Sequence, residues 1–256
     1  MTSGPILAID TSGATASVAL YADQVIAETT WHSGRGHSAQ LLPAIDETLA
    51  RARVGKQSIS AIAVASGPGS YSGLRVGVST AMAMALALDI PVAQVPTLEV
   101  IAWAHAGSPS PARGEGTITL SPARGEGTIT PSPLTGEGWG GGARRYIRAA
   151  IDVGRGRYAT ARFRPSEKHL EHETRIETVG LGELLDLVAV ERSLLAVDLD
   201  PESRETVERQ YGARVELASP AASTRRAGFL AELGAIKIRR GELVHDLVVE
   251  PIYLHS

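Results

Sequence analysis

The chain has 256 residues, 43% of them hydrophobic and 21% charged, with a formal net charge of −3 and no cysteine. The length is at the upper edge for one hydrophobic core, so two compact lobes are at least as natural. The composition excludes disulfides, thiol nucleophiles and cysteine-held metals, and the charge demands no polyanionic partner. No basic stretch precedes an apolar run at the start, MTSGPILAID. The longest nearly unbroken apolar run, Val76 to Leu88, is shorter than the roughly 20 residues of a membrane span. The expectation is a cytoplasmic chain with no membrane contact.

Pro5 to Asp10 reads as a buried strand and Thr15 to Tyr21 as an alternating one, with Ser12, Gly13 and Ala14 small enough for a tight turn between them. Gln24 to Thr30 extends the meander. Leu41, Leu42, Ile45 and Leu49 recur at helical spacing, with Ser38 as the expected N-cap and Gly55 ending the pattern. Ile59 to Ala65 reads as a strand running into the glycine loop Ser66 to Gly73, SGPGSYSG. The helix from Gly73 to Leu88 carries Gly73, Gly77, Ala81 and Ala85 four apart, a small-residue face that admits another backbone, beside an apolar face of Leu74, Val78 and Met82. Pro91 to Val95 reads as a strand and Thr97 to His105 as a helix.

Ser110 to Leu120, SPARGEGTITL, recurs from Ser121 with Pro131 in place of the last leucine. With few large apolar groups to offset ordering, Gly107 to Gly142 reads as a mobile insert. Beyond it, Tyr146 to Asp152, a glycine turn and Arg157 to Phe163 echo Leu7 to Tyr21: strand, Asp, small-residue turn, strand. The echo points to a duplicated lobe with a cleft between the copies. The expected division is 1–106 for the first lobe, 107–142 for the insert and 143–256 for the second, with a late helix free to pack back on the first. In that second lobe Leu181 to Val190, Glu202 to Tyr211 and Ala221 to Leu233 read as helices, Leu194 to Val197 and Val215 to Leu217 as strands, and Leu247 to Leu254 as an extended tail.

Asp10 and Asp152 are placed at strand ends beside small-residue turns. Such carboxylates either hold a metal–nucleotide complex or cap their own turn. The backbone amides after SGPGSYSG could take an anion, but no Walker lysine or G-x-G-x-x-G is present. The seven histidines form no zinc signature, with His169 and His172 in the polar run SEKHLEHE. No nucleophile–base set is identifiable. Aromatics at 4% disfavour a base-stacking platform. Neither a catalytic residue nor a resident metal or cofactor is expected.

Five segments together carry a family resemblance: Ala8 to Ser12, His37 to Ile45, Ser66 to Gly77, Ala150 to Phe163 and Pro251 to Leu254. In this order they resemble the TsaB proteins, also called YeaZ. Tyr71-Ser72 stands where Phe-Thr is usual in that family, His255 where arginine is common, and the repeat is extra. The resemblance implies the two-lobed α/β fold of the actin, sugar-kinase and Hsp70-type ATPases, with duplicated ribonuclease-H-like lobes. It implies a non-catalytic subunit of the complex that transfers threonylcarbamoyl to the adenosine beside the anticodon of tRNA. The partners so implied are a TsaD-like catalytic subunit and a TsaE-like ATPase, with tRNA met only through the complex and a homodimer left open. The partner surface carried over lies on His37 to Arg51 and Gly73 to Leu88: Leu41, Leu42, Ile45, Leu74, Gly77, Val78, Ala81 and Met82. Asp10, Thr11, Ser12, Asp152 and Gly154 would be the remnant of a nucleotide site. The alternatives are an active small-molecule kinase or nucleotide hydrolase of this fold, and a peptidase, for which no nucleophile or metal ligand set is visible.

Overall fold

A computed structural model describes residues 4–34, 36–106, 146–166, 170–212 and 214–243. The repeat segment 107–142 and the tail 247–254 lie outside the described residues.

Among the described residues, the first half begins with strands β1 (Ile6–Asp10), β2 (Thr15–Ala22) and β3 (Gln24–His32) and helix α1 (His37–Ala52). A short 3-10 turn (Lys56–Ser58) leads to β4 (Ala61–Ala65), α2 (Tyr71–Leu88), β5 (Val92–Val95) and α3 (Thr97–His105). The second half holds β6 (Ile147–Gly154), β7 (Arg157–Pro165), β8 (Leu170–His172), β9 (Glu177–Gly180), α4 (Leu181–Glu191), β10 (Leu194–Ala196), α5 (Pro201–Tyr211), β11 (Glu216–Leu217), α6 (Pro220–Ser223) and α7 (Ala227–Arg239).

The two sheets have the same plan. The first runs β3-β2-β1-β4-β5, antiparallel across β3-β2-β1 and parallel across β1-β4-β5. The second runs β11-β10-β6-β7-β8, with β6 antiparallel to β7 and parallel to β10, and with β9 also pairing β7. Asp10 and Asp152 fall near the ends of the equivalent strands β1 and β6.

Residue parity explains how the first sheet is covered. Leu7, Ile9, Ile62 and Val64 face one way, into a cluster with Leu41 and Ile45 of α1 and Val78 and Ala81 of α2. Ile6, Ala8, Ala61 and Ala63 face the other way, onto Leu230 and Ala231 of α7. Both faces are buried, so β1 and β4 are apolar almost throughout. In the second sheet Ile147, Ala149 and Ile151 meet Leu98 and Ile101 of α3, while Ala150 meets Leu184, Leu185 and Val188 of α4. A helix from the first half thus covers the second sheet, and α7 from the second half covers the first. The buried Arg148 on β6 is paired with Glu177 and Glu191.

Several elements differ from the sequence expectations. The cap of α1 is Gly36, with no side-chain bond, and Ser38 lies exposed inside the first turn. Helix α2 starts at Tyr71 with Ser70 as its cap, so the end of the glycine loop is already helical. The single helix expected from Ala221 to Leu233 is broken: Thr224 and Arg226 are extended, and α7 begins anew at Ala227. The polar run that holds His172 contributes β8, in which Glu171 and His172 are exposed and the His172 ring stacks on Phe163 at 4.9 Å. Helix α2 is long and apolar enough, by length and composition, to cross a membrane. Here its small-residue side packs into the first lobe.

Candidate functional site

The β1–β2 turn is pressed against the start of α2. The Thr11 hydroxyl donates to the Gly73 carbonyl at 2.7 Å, and the Ser70 amide donates to the Ser12 carbonyl at 2.7 Å. A Cβ at Gly73 would run into the Thr11 carbonyl, and one at Gly77 into the Thr11 hydroxyl. These glycines therefore serve close approach within the lobe. The loop amides are engaged too: Gly67 N–H donates to the Thr97 hydroxyl and Gly73 N–H to the Ser70 hydroxyl. The anion cradle considered for this loop is, at these positions, filled by the protein itself.

Asp10 is 0% exposed and Arg225 is 6% exposed. The Arg225 Nη2 donates to Asp10 Oδ2 at 2.6 Å and to the Ser12 hydroxyl at 2.8 Å. Asp10 Oδ1 accepts from the Ser12 amide at 3.0 Å and the Ser12 hydroxyl at 2.6 Å. The break between α6 and α7 is what delivers this guanidinium. Asp10 consequently stands in a closed network, its charge met by an internal cation.

Above this network lies a cavity of about 760 Å³ between the lobes. That size falls within the usual range of ligand pockets, roughly 300–1,000 Å³. Asp10, Thr11 and Ser12 are not among its lining residues, whereas Asp152 and Gly154 are. Asp152 is exposed, and its Oδ1 accepts the Gly154 amide at 2.6 Å, so it caps its own turn. The five nucleotide-site candidates are therefore split between a buried network and the cavity wall.

Sequence reasoning missed Asp198, Asp200, Thr15 and Arg225, which also line the cavity. Burial raises the Asp198 carboxyl above its usual range, against the pull of Arg225, a Thr15 hydrogen bond, His32 and Arg204. Asp200 caps α5 through Ser203, and those hydrogen bonds lower its pKa. The alternation Val197-Asp198-Leu199-Asp200 after a strand was a readable signal. Nothing local marked Arg225. Burial lowers the His37 imidazole, opposed by the Asp10 charge. Among the described residues no three His, Asp or Glu side chains lie close enough to hold one metal ion.

The expected partner residues divide sharply. Leu41, Ile45, Leu74, Gly77, Val78 and Ala81 are buried in their own lobe, because the narrow face of α2 is needed against Thr11 and the sheet. Leu42 is 55% exposed and Met82 partly exposed. Leu86, which the sequence did not single out, is 70% exposed on the same outward side of α2 as Ala83.

The duplicated sheets and interlobe cavity define the class, the two-lobed actin-like and Hsp70-like fold. Over 98% of its length the chain superposes on a Pseudomonas aeruginosa protein described as similar to the peptidase YeaZ, covering all of that chain at a TM-score of 0.69 and 21% identity. YeaZ from the same organism superposes at 0.66 and 23% identity, with the same coverage. A family model described as TsaD, tRNA N6-adenosine threonylcarbamoyltransferase, matches residues 24–113. The tRNA threonylcarbamoyladenosine biosynthesis protein TsaB of Bacillus subtilis is 40% identical over 98 residues, 38% of this chain and 43% of that protein. Escherichia coli TsaB is 35% identical over 97 residues, 38% of this chain and 42% of that protein. The matched part is thus less than half the length of these curated relatives. The chain is homologous to the TsaB/YeaZ family, in sequence over this part and in fold over nearly all of its length.

Proposed function

We propose that this chain is a non-catalytic partner subunit in the cytoplasmic synthesis of threonylcarbamoyladenosine in tRNA, pairing with a TsaD-like catalytic subunit. The observation that carries the non-catalytic reading is the Arg225–Asp10 pair. In a kinase or hydrolase of this fold the β1 carboxylate must face a metal-bound nucleotide. Here it is buried, accepts three hydrogen bonds and is neutralised by the protein's own guanidinium. The pathway is carried over from the names of the similar TsaB proteins.

The partner docks on the outer sides of the adjacent helices α1 and α2, where Leu42, Met82, Ala83 and Leu86 reach the surface. A TsaE-like ATPase joins that pair, a homodimer can use the same surface, and tRNA is met only through the assembly. The test is reconstitution with the TsaD-like protein of the same cell, measuring complex formation by light scattering and threonylcarbamoyladenosine in tRNA by mass spectrometry. The expected result is a stoichiometric complex, with modification that requires both chains. Failure to form a complex, or robust ATP hydrolysis by this chain alone that Asp10→Ala abolishes, would overturn the reading.

A further inference from the structure

We infer that the short segment 219–226 is a built-in clasp that fixes the width of the interlobe cleft without a bound ligand. Two lobes with a cavity between them move about a hinge unless something holds them. One side of the cleft is joined by α3. Its Val100 and Trp103 pack with α7 on the first sheet, while Leu98, Ile101 and Ala102 pack on the second. The Trp103 indole N–H also donates to Glu232 of α7 at 2.9 Å. Val100, Ile101 and Ala104 line the cavity, so α3 forms a pivot along its wall.

The clasp is anchored at both ends. On the second lobe, the Ala218 amide donates to the Leu195 carbonyl of β10 at 2.9 Å, and Arg204 Nη2 of α5 donates to the Ala218 carbonyl at 2.8 Å. On the first lobe, Arg225 is held by Asp10 and Ser12. Arg226 gives both Nε and Nη2 to Glu28 Oε2, at 3.0 and 2.9 Å, and the Gly228 amide donates to Glu28 Oε1 at 2.8 Å. Consecutive arginines thus grip two separate strands, β1 and β3. The Arg225–Asp10 pair is buried, so salt screens it little.

The span between the anchors is short. Residues 219–224 comprise the Ser219 cap, the single turn of α6 and an extended Thr224. A helical residue advances about 1.5 Å and an extended one about 3.4 Å, so the segment lengthens only if α6 unwinds. A second tie crosses the cleft nearby, where the Asp198 carboxylate accepts a hydrogen bond from the Thr15 hydroxyl of β2. Arg225 also attracts Asp198, so one guanidinium serves a carboxylate from each lobe.

This inference does not rest on the partner-subunit reading, because its test uses the isolated full chain. The chain has no cysteine, so Ser72→Cys and Glu202→Cys place one spin label on each lobe. Ser72 is exposed and lines the cavity, and Glu202 is exposed beside Pro201, which lines it from the second lobe. The distance between the labels is read by pulsed electron paramagnetic resonance with the clasp intact, with Arg226→Gln, and with Arg225→Met combined with Asp10→Asn, each below its own melting transition. The combined variant opens the clasp without stranding a buried charge. The intact clasp is expected to give one narrow distance, unchanged by Mg-ATP. In the combined variant a second, longer distance is expected to hold about a tenth of the molecules or more, and in Arg226→Gln a smaller share. A single, unchanged distance in both variants would overturn the proposal. So would two distances with the clasp intact, or a shift of its distance on adding Mg-ATP.

Discussion

A single nitrogen of Arg225 serves both Asp10 and Ser12. Removing one partner of such a buried pair leaves an uncompensated charge, which costs about 3–5 kcal/mol. Arg225→Met is therefore expected to lose stability on that scale in urea unfolding. Adding Asp10→Asn is expected to recover part of the loss, since it removes the stranded charge. His37 gives a pH signature. The unfolded imidazole takes up a proton below about pH 6.5. The folded one is held lower by burial. Stability from this group is therefore present above that pH and lost as the pH falls toward the folded value. His37→Gln is expected to flatten this part of the stability profile, as read from urea midpoints at about pH 7 and about pH 5.5.

Helix α2 has two sides with different work. Its inner residues Gly73, Gly77, Ala81 and Ala85 are buried against the turn and the sheet, and its outer side carries Leu86. Ala81→Leu is expected to overpack the lobe and cost about 1–3 kcal/mol, lowering the melting temperature whether or not a partner is present. Leu86→Arg is expected to leave the melting temperature of the isolated chain nearly unchanged while weakening the partner complex about tenfold or more. Normal binding by Leu86→Arg together with Leu42→Arg would remove α1 and α2 as the docking surface. The small-residue stripe is legible from its spacing alone. Which side meets the sheet depends on Thr11, far before Gly77 in the chain, and no local pattern records that contact.

At the scale of the molecule, the swapped helices bind the halves together. Helix α7 covers Ile6, Ala8, Ala61 and Ala63, and a Cβ at Gly234 would collide with that of Ala63. A chain ending at Arg226 would bare this face of the first sheet. It is expected to lose its cooperative unfolding transition by calorimetry, even though the whole first sheet remains in the chain. A retained sharp transition would show that the first half folds without α7. Gly234→Leu is the milder form of the same test and is expected to lower the melting temperature.

Local pattern was enough for the strand–Asp–turn–strand echo and for α3, α4 and α5 nearly to the residue, because alternation and helical periodicity are recorded within a few positions, while the two-lobed fold came from the family resemblance. The turn-capping role open to Asp152 was legible for the same reason. The exclusion of cysteine chemistry followed from composition. Tertiary structure alone decided the fate of Asp10, whose cation comes from 215 positions away through a break in what reads as one helix. It alone gathered Asp152, Asp198 and Asp200 around one cavity and turned the small side of α2 inward. Charges and glycines act through the neighbours that folding brings to them, and those neighbours are far away along the chain.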